Sequence, residues 1–365
     1  KIKDFIVDAS PFISYEGDII RPKNVIRSLS IRNKVEITDS DVIWDPVSDP
    51  TYVRDGIELF KGREALTDEL KKHYKSFRRS TTYVLYGMAR HGKTSILRYL
   101  QKQLNGTEID TRNGNKTMFP IWWDFQRAEP KAKPKDMWEY LIKFQILEPF
   151  IASHENIFSN NNELQNIYNR TEFRQVHFDK VLKEFDKEKI FPFIAIDEFT
   201  LVTNMVTMRA DNVVLMQESM IGALRQTALD EQACYIFAGI FNLIDIIGAG
   251  ETARFANCET VEVGRIADKD ASELINASPR LDFTEKAAKT IQIASNNIPY
   301  FIQMICMYCG FYAVKTGRDL ISDIEVDLVI SIMTGEEKIN IIPKVKKIKS
   351  QFAAVQYNDT PDEEI

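Results

Sequence analysis

An α/β fold, with a parallel sheet covered by helices on both faces and an all-α unit after it, is what this sequence predicts. Three observations carry that prediction. Between Leu59 and Val263, short apolar runs alternate with amphipathic stretches of helical length, as buried parallel strands do when crossover helices join them. After Gly264 the strand-like runs stop and four helical patterns follow. One strand-to-helix junction carries Gly87-Met88-Ala89-Arg90-His91-Gly92-Lys93-Thr94, which matches G-x-x-x-x-G-K-[ST] at every position.

The elements follow in chain order. Residues 1–55 lack a helical period and read as an N-terminal extension, with the tail of a preceding domain as the alternative. Within them Lys34–Thr38 and Asp41–Trp44 alternate like short strands, and Asp45–Pro50 is a turn-rich connector. The α/β core is expected over 56–264. It opens with a helix at Glu64–Phe77, then a strand at Thr81–Tyr86 and a helix through Ser95–Leu100. Further strands are expected at Met118–Phe125, Ile190–Asp197, Cys234–Gly239 and Glu259–Val263. The helices between them are placed at Pro134–Phe150, Thr171–Asp186 and Asn212–Leu229, with a loop at Asn160–Asn162. The helical unit, 265–350, holds Asp270–Asn276, Thr284–Ser295, Pro299–Thr316 and Ser322–Met333. The acidic tail, 351–365, has the composition of a disordered segment.

Composition narrows the function classes. At 365 residues, 44% hydrophobic and 27% charged, the chain is long enough for two or three domains with a sizeable core. No apolar run approaches a membrane span. The net charge of −6 excludes a globally basic surface, leaving only a local patch for nucleic acid. Cys306 and Cys309 form a lone C-x-x-C inside an apolar helical pattern, which reads as buried thiols rather than a zinc site. Cysteine usage and the absence of a signal-peptide pattern fit a cytoplasmic protein. The first residue is Lys, so a fragment of a longer chain is expected.

The octapeptide predicts a phosphate site. Backbone N–H groups of the Gly87–Gly92 loop and the following helix N-terminus converge on one anion. Lys93 supplies a point charge for the β/γ-phosphates, and Thr94 supplies a hydroxyl for Mg²⁺. Phe191–Glu198 is an apolar run ending in two acids, the Walker B arrangement. Asp197 is the second metal ligand, and Glu198 is placed to orient an attacking water.

With these residues in hand, the chain resembles a STAND-class P-loop ATPase, the signalling branch near AAA+ proteins. The resemblance spans roughly residues 57–335. Leu59-Phe60-Lys61-Gly62-Arg63-Glu64 is similar to the family's F-x-G-R-E opening motif, which implies that Phe60, Gly62 and Arg63 lie beside the nucleotide. The run Arg90-His91-Gly92-Lys93-Thr94-Ser95 is also family-like. So is the Walker B strand followed by a helix ending Ala223-Leu224-Arg225-Gln226 and the strand Tyr235–Gly239. Asn297-Ile298-Pro299-Tyr300 resembles the lid motif G-x-P-Y, with asparagine where glycine is usual, and implies that Pro299 packs near the nucleotide. A proline at a helix's first turn is the plainer reading of that residue. Asn242 is the nearest candidate for sensor 1, and no arginine follows Pro299 as a sensor 2. Arg254 resembles an arginine finger, with a surface or salt-bridged arginine as the alternative.

The resemblance implies an ATP/ADP-binding, Mg²⁺-dependent switch that hydrolyses slowly and couples its lid to self-association or to a protein partner. The absence of an Asn-Lys-x-Asp motif agrees with ATP over GTP. A DNA-associated AAA+ ATPase is the alternative, resting on the basic, aromatic-interleaved run Lys71–Arg79. A nucleotide-holding scaffold without turnover is a third class, opposed by Thr94 and Glu198.

Overall fold

The computed structural model describes residues 13–15, 18–20, 37–45, 59–76, 82–124, 137–199, 213–240 and 258–334; of 13–15, 18–20, 137 and 213–220 it describes the backbone alone. Strand β6 (Ile190–Asp197) sets the plan of the core. Its side chains alternate between two apolar clusters. Ile190, Ile194 and Ile196 enter one, and Phe191, Phe193 and Ala195 enter the other. A strand buried on both faces needs helices on both faces. Helices α1 (Glu64–Lys75) and α2 (Lys93–Leu104) bury their apolar stripes on one side. The other side is covered mainly by the 137–187 segment and by the end of α7 (Val213–Leu229).

That covering segment runs through α3 (Met137–Glu139), a π-helical stretch Tyr140–Leu147, α4 (Glu148–Asn160), α5 (Asn162–Tyr168) and α6 (Gln175–Lys187). The helix expected to end at Phe150 continues to Asn160. Pro149 lies just after the π-helical stretch, and His154, at φ −136°, kinks the path within α4. The loop expected at Asn160–Asn162 is a cap: the Asn161 side-chain Oδ1 accepts from the Leu164 N–H at 3.0 Å and starts α5.

The six-stranded sheet has the order β4-β5-β6-β7-β3-β8, with β3 at Thr82–Tyr86, β4 at Glu108–Thr111, β5 at Gly114–Asp124, β7 at Cys234–Gly239 and β8 at Cys258–Glu262. One strand, β7, separates β3 from β6. The five strands expected from the sequence pair in parallel, and one further strand was not expected. β4 pairs antiparallel with β5 through a tight hairpin, Thr111 opposite Gly114, so the sheet is mixed. Gly114 sits at φ +98°, a conformation that favours glycine.

The helical unit contains α8 (Asp268–Ile275), α9 (Glu285–Ser295), α10 (Pro299–Thr316) and α11 (Asp323–Thr334) around one apolar cluster. It is not purely helical: β9 (Asp282–Phe283) and β10 (Leu320–Ile321) form a short parallel pair. The strand expected at Asp41–Trp44 is also corrected. Asp39–Asp41 is a 3₁₀ turn and 42–45 has no strand pairing. Val42, Ile43 and Trp44 are all buried, which alternation along a half-buried strand would not allow. A further pair, β1 (Ile13–Tyr15) and β2 (Asp18–Ile20), is an antiparallel hairpin.

Among the described residues, no helix is long and apolar enough to cross a membrane. The four cysteines are free, and Cys306 and Cys309 are buried in α10, as the sequence predicts.

Candidate functional site

The loop after β3 folds as a cradle because three of its residues adopt positive φ. Gly87 is at +143°, Arg90 at +74° and Gly92 at +92°. A Cβ on Gly87 would lie 2.6 Å from the Val263 carbonyl oxygen, so glycine is required by close approach as well as by φ. Gly92 caps α2, whose N–H groups open toward the loop. Lys93 is the first residue of that helix and is 6% exposed. Its ammonium donates to the Gly87 and Met88 carbonyls, each at 2.8 Å. Burial lowers its pKa, opposed by the charges of Glu198 and Asp197. The cation therefore sits where a phosphate's charge would favour it. Ser95 is half-buried in the helix's first turn.

Asp197 ends β6 and is 5% exposed. Its Oδ2 accepts from Thr94 Oγ1 at 2.8 Å, and its Oδ1 accepts from the Glu198 N–H at 3.0 Å. Burial pushes its carboxyl up to about 6. The Thr94 hydroxyl opposes that rise, and the neighbouring Glu198 and Asp124 charges add to it. Glu198 has φ +51°, a strained backbone for a side chain of its size. The sheet thus brings Lys93, Thr94, Asp197 and Glu198 to one edge.

The donor set suits Mg²⁺. Thr94 and Asp197 offer hard oxygens, and a bound cation would favour the ionised carboxylate that burial disfavours. Among the described residues no cluster of three or more His, Cys, Asp or Glu could hold a metal.

Two further groups border the cradle. His91 is buried, and its Nδ1 lies 3.1 Å from the Ala89 carbonyl. Burial lowers its pKa, which keeps the ring neutral near pH 7. Arg63 donates to the His91 carbonyl at 3.2 Å and to the Gly264 carbonyl. Burial lowers its pKa, and Asp270 opposes that effect. Gly62, at φ +73°, packs so that a Cβ would lie 2.9 Å from the Asp270 side chain.

The other predicted residues spread around this edge. The Phe60 ring serves packing: it is 4% exposed and stacks on Tyr99 at 4.5 Å. Pro299 is in the first turn of α10, where the plainer reading of the sequence puts it. Its neighbour Tyr300 lies under the Arg90 guanidinium, 4.0 Å from the ring centroid, so the loop and the helical unit touch. Asn297 stands in for glycine because its φ is +54°, a region asparagine tolerates. Arg254 and Asn242 lie outside the described residues, as do Phe77, Arg78 and Arg79.

The sequence reading gave Asp124 no role. It ends β5 directly opposite Asp197 in the ladder and contributes to the field at that carboxyl. The signal was present, since Ile121-Trp122-Trp123-Asp124 is another apolar run ending in an acid.

No family model matches this chain, and neither does any curated protein. The fold is similar to that of the Orc1 protein of Aeropyrum pernix solved in complex with DNA, with a TM-score of 0.51 at 12% identity, covering 82% of this chain and 70% of that one. It is also similar to the Orc2 protein of the same organism, solved as ADPNP–ADP complexes, with a TM-score of 0.50 at 11% identity, covering 79% and 70%. The fold is that of the AAA+ P-loop nucleoside triphosphatases, a mixed sheet with helices on both sides.

Proposed function

We propose that this chain binds ATP with Mg²⁺ at the Gly87–Thr94 loop and hydrolyses it slowly, as a switch of the STAND type. The observation that carries the reading is the 2.8 Å bond between Thr94 Oγ1 and Asp197 Oδ2, which joins residues 103 positions apart beside a buried lysine. A structural glycine turn has no need of that convergence. Thr94 and Asp197 hold Mg²⁺, which when bound offsets phosphate charge. Lys93 exchanges its two carbonyl partners for phosphate oxygens. Glu198 orients the attacking water and accepts its proton. Arg254, the arginine-finger candidate of the sequence, would add charge at the γ-phosphate. The helical unit is the lid: Tyr300 meets the loop through Arg90, and Asn297 and Arg63 hold the segment that joins lid to core. A nucleotide shifts the lid by as much as its affinity differs between lid positions, and the γ-phosphate supplies that difference.

The test is phosphate release by wild type and Glu198→Gln. The variant is expected to retain ATP–Mg²⁺ binding and to lose turnover by about 100-fold or more. Undiminished turnover would remove Glu198 from the mechanism.

A second reading, a DNA-associated ATPase of the same fold, is favoured by one feature. The last turn of α1 carries Lys72, His73 and Lys75, and leads into Arg78 and Arg79. DNA binding that weakens with salt and is abolished by charge reversal at Arg78 and Arg79 would support it; no binding at low salt would discard it.

A further inference from the structure

Residues 37–45 precede the whole α/β core, yet Ile37, Val42, Ile43 and Trp44 are buried against the helical unit. Ile37, Ile43 and Trp44 belong to its apolar cluster. The Trp44 ring, 1% exposed, meets Phe283 edge-on at 5.8 Å. Its indole N–H donates to the Leu274 carbonyl at 2.9 Å, satisfying one of the last carbonyls of α8. Val42 fills the space left by Gly310 in α10, where a Cβ would lie 2.9 Å from its Cγ1. A glycine inside a helix is a destabilising choice, and Val42 is what makes it a fitting one. Asp41 pairs with Arg280 at 3.1 Å.

The chain then crosses between the two units twice. Leu59 packs in the helical cluster and its neighbour Phe60 in the core. Val263 packs in the core and Ile266 in the helical cluster. Arg63, beside the first crossing, donates to Gly264 in the second.

We propose that residues 37–45 are a strap built into the lid, so that Ile37, the point from which the preceding chain departs, moves with the lid and not with the ATPase core. The lid's rotation about its crossings is then delivered to the chain that precedes Ile37. The attachment stands on packing alone; its use as an output arm rests on the nucleotide-switch reading.

Hydrogen exchange on the full chain without nucleotide tests the attachment. Trp44→Ala is expected to speed exchange at least tenfold in 268–275 and 299–316 and to leave 93–104 unchanged. Equal acceleration in 93–104, or none in the helical unit, overturns the strap. Trp44→Phe keeps the ring and loses the N–H, and its expected effect is smaller and confined to the end of α8; acceleration spread across the core overturns the strap here too. Spin labels at the exposed Ser40, Lys286 and Gln103 test the arm. Between ATP–Mg²⁺ and ADP, the Ser40–Lys286 distance stays fixed while both distances to Gln103 change. A changing Ser40–Lys286 distance overturns the strap. An unchanging Lys286–Gln103 distance overturns the output role and the switch reading, and leaves the attachment standing.

Discussion

The sheet edge at the Gly87–Thr94 loop and the helical unit beside it bury very different things. The edge buries Lys93, Asp197 and His91 and holds Arg90 and Glu198 at positive φ. The helical unit buries isoleucines, alanines, Phe301 and Trp44, and its positive-φ residues Asn296, Asn297 and Gly317 sit at helix ends, where that conformation is ordinary. The edge keeps charges out of water and strain in its backbone, and both oppose folding. The helical unit supplies apolar burial, which favours it. Substitutions should therefore separate stability from nucleotide chemistry according to region.

The largest expected effect is on the helical side. Phe301→Ala removes a ring that is 2% exposed and should destabilise the protein by about 3–5 kcal/mol in chemical denaturation. ATP affinity of the molecules that remain folded should stay within about threefold of wild type. A large affinity loss at full folding would blur the division.

Asp197→Asn should act with the opposite sign. Burial pushes the native carboxyl up to about 6 from the ordinary 3.8 of an aspartate, so its contribution to folding is full below about pH 4 and is lost as pH rises through 6. The variant lacks that pH dependence and should be more stable than wild type at pH 7 by up to ~3 kcal/mol without nucleotide. Its Mg²⁺-dependent turnover should fall. Denaturant midpoints for both proteins at pH 4 and 7 check this, and parallel pH profiles would contradict it.

Lys93→Ala should weaken ATP binding by about 100-fold, with little change in melting temperature, because the buried ammonium is a burden to folding. Calorimetric titration and a thermal melt of the same preparation decide it. The smallest effect belongs to the contact that joins the regions. Tyr300→Leu removes the ring beneath Arg90 and should loosen the helical unit by about 0.5–2 kcal/mol, while Tyr300→Phe should not. Local hydrogen exchange at 299–305 distinguishes the two.

How legible each region was follows the same division. The strands Ile190–Asp197 and Cys234–Gly239 and the helix Pro299–Thr316 match their sequence expectations residue for residue, because continuous apolar runs between turn signals admit few alternatives. The convergence of Lys93, Thr94 and Asp197 was legible because the octapeptide fixes a strand–loop–helix junction and an apolar run ending in an acid delivers its carboxyl to the same sheet edge. β4 was missed: Glu-Ile-Asp-Thr has one apolar side chain, and its only clear signal was the Asn113-Gly114 turn. Residues 41–44 look like a strand in isolation, and a tertiary docking surface overrides that pattern. Asp124 went unread because one acid at a strand end has meaning only once the ladder sets it opposite Asp197.

The central claim is that the Gly87–Thr94 loop and Asp197 hold a nucleotide that exchanges slowly. Its most direct test is the nucleotide content of the purified protein, released by denaturation and resolved by chromatography. The account predicts ADP close to one per chain in wild type and almost none in Lys93→Ala. An empty wild-type protein that also fails to bind added ATP–Mg²⁺ would contradict it.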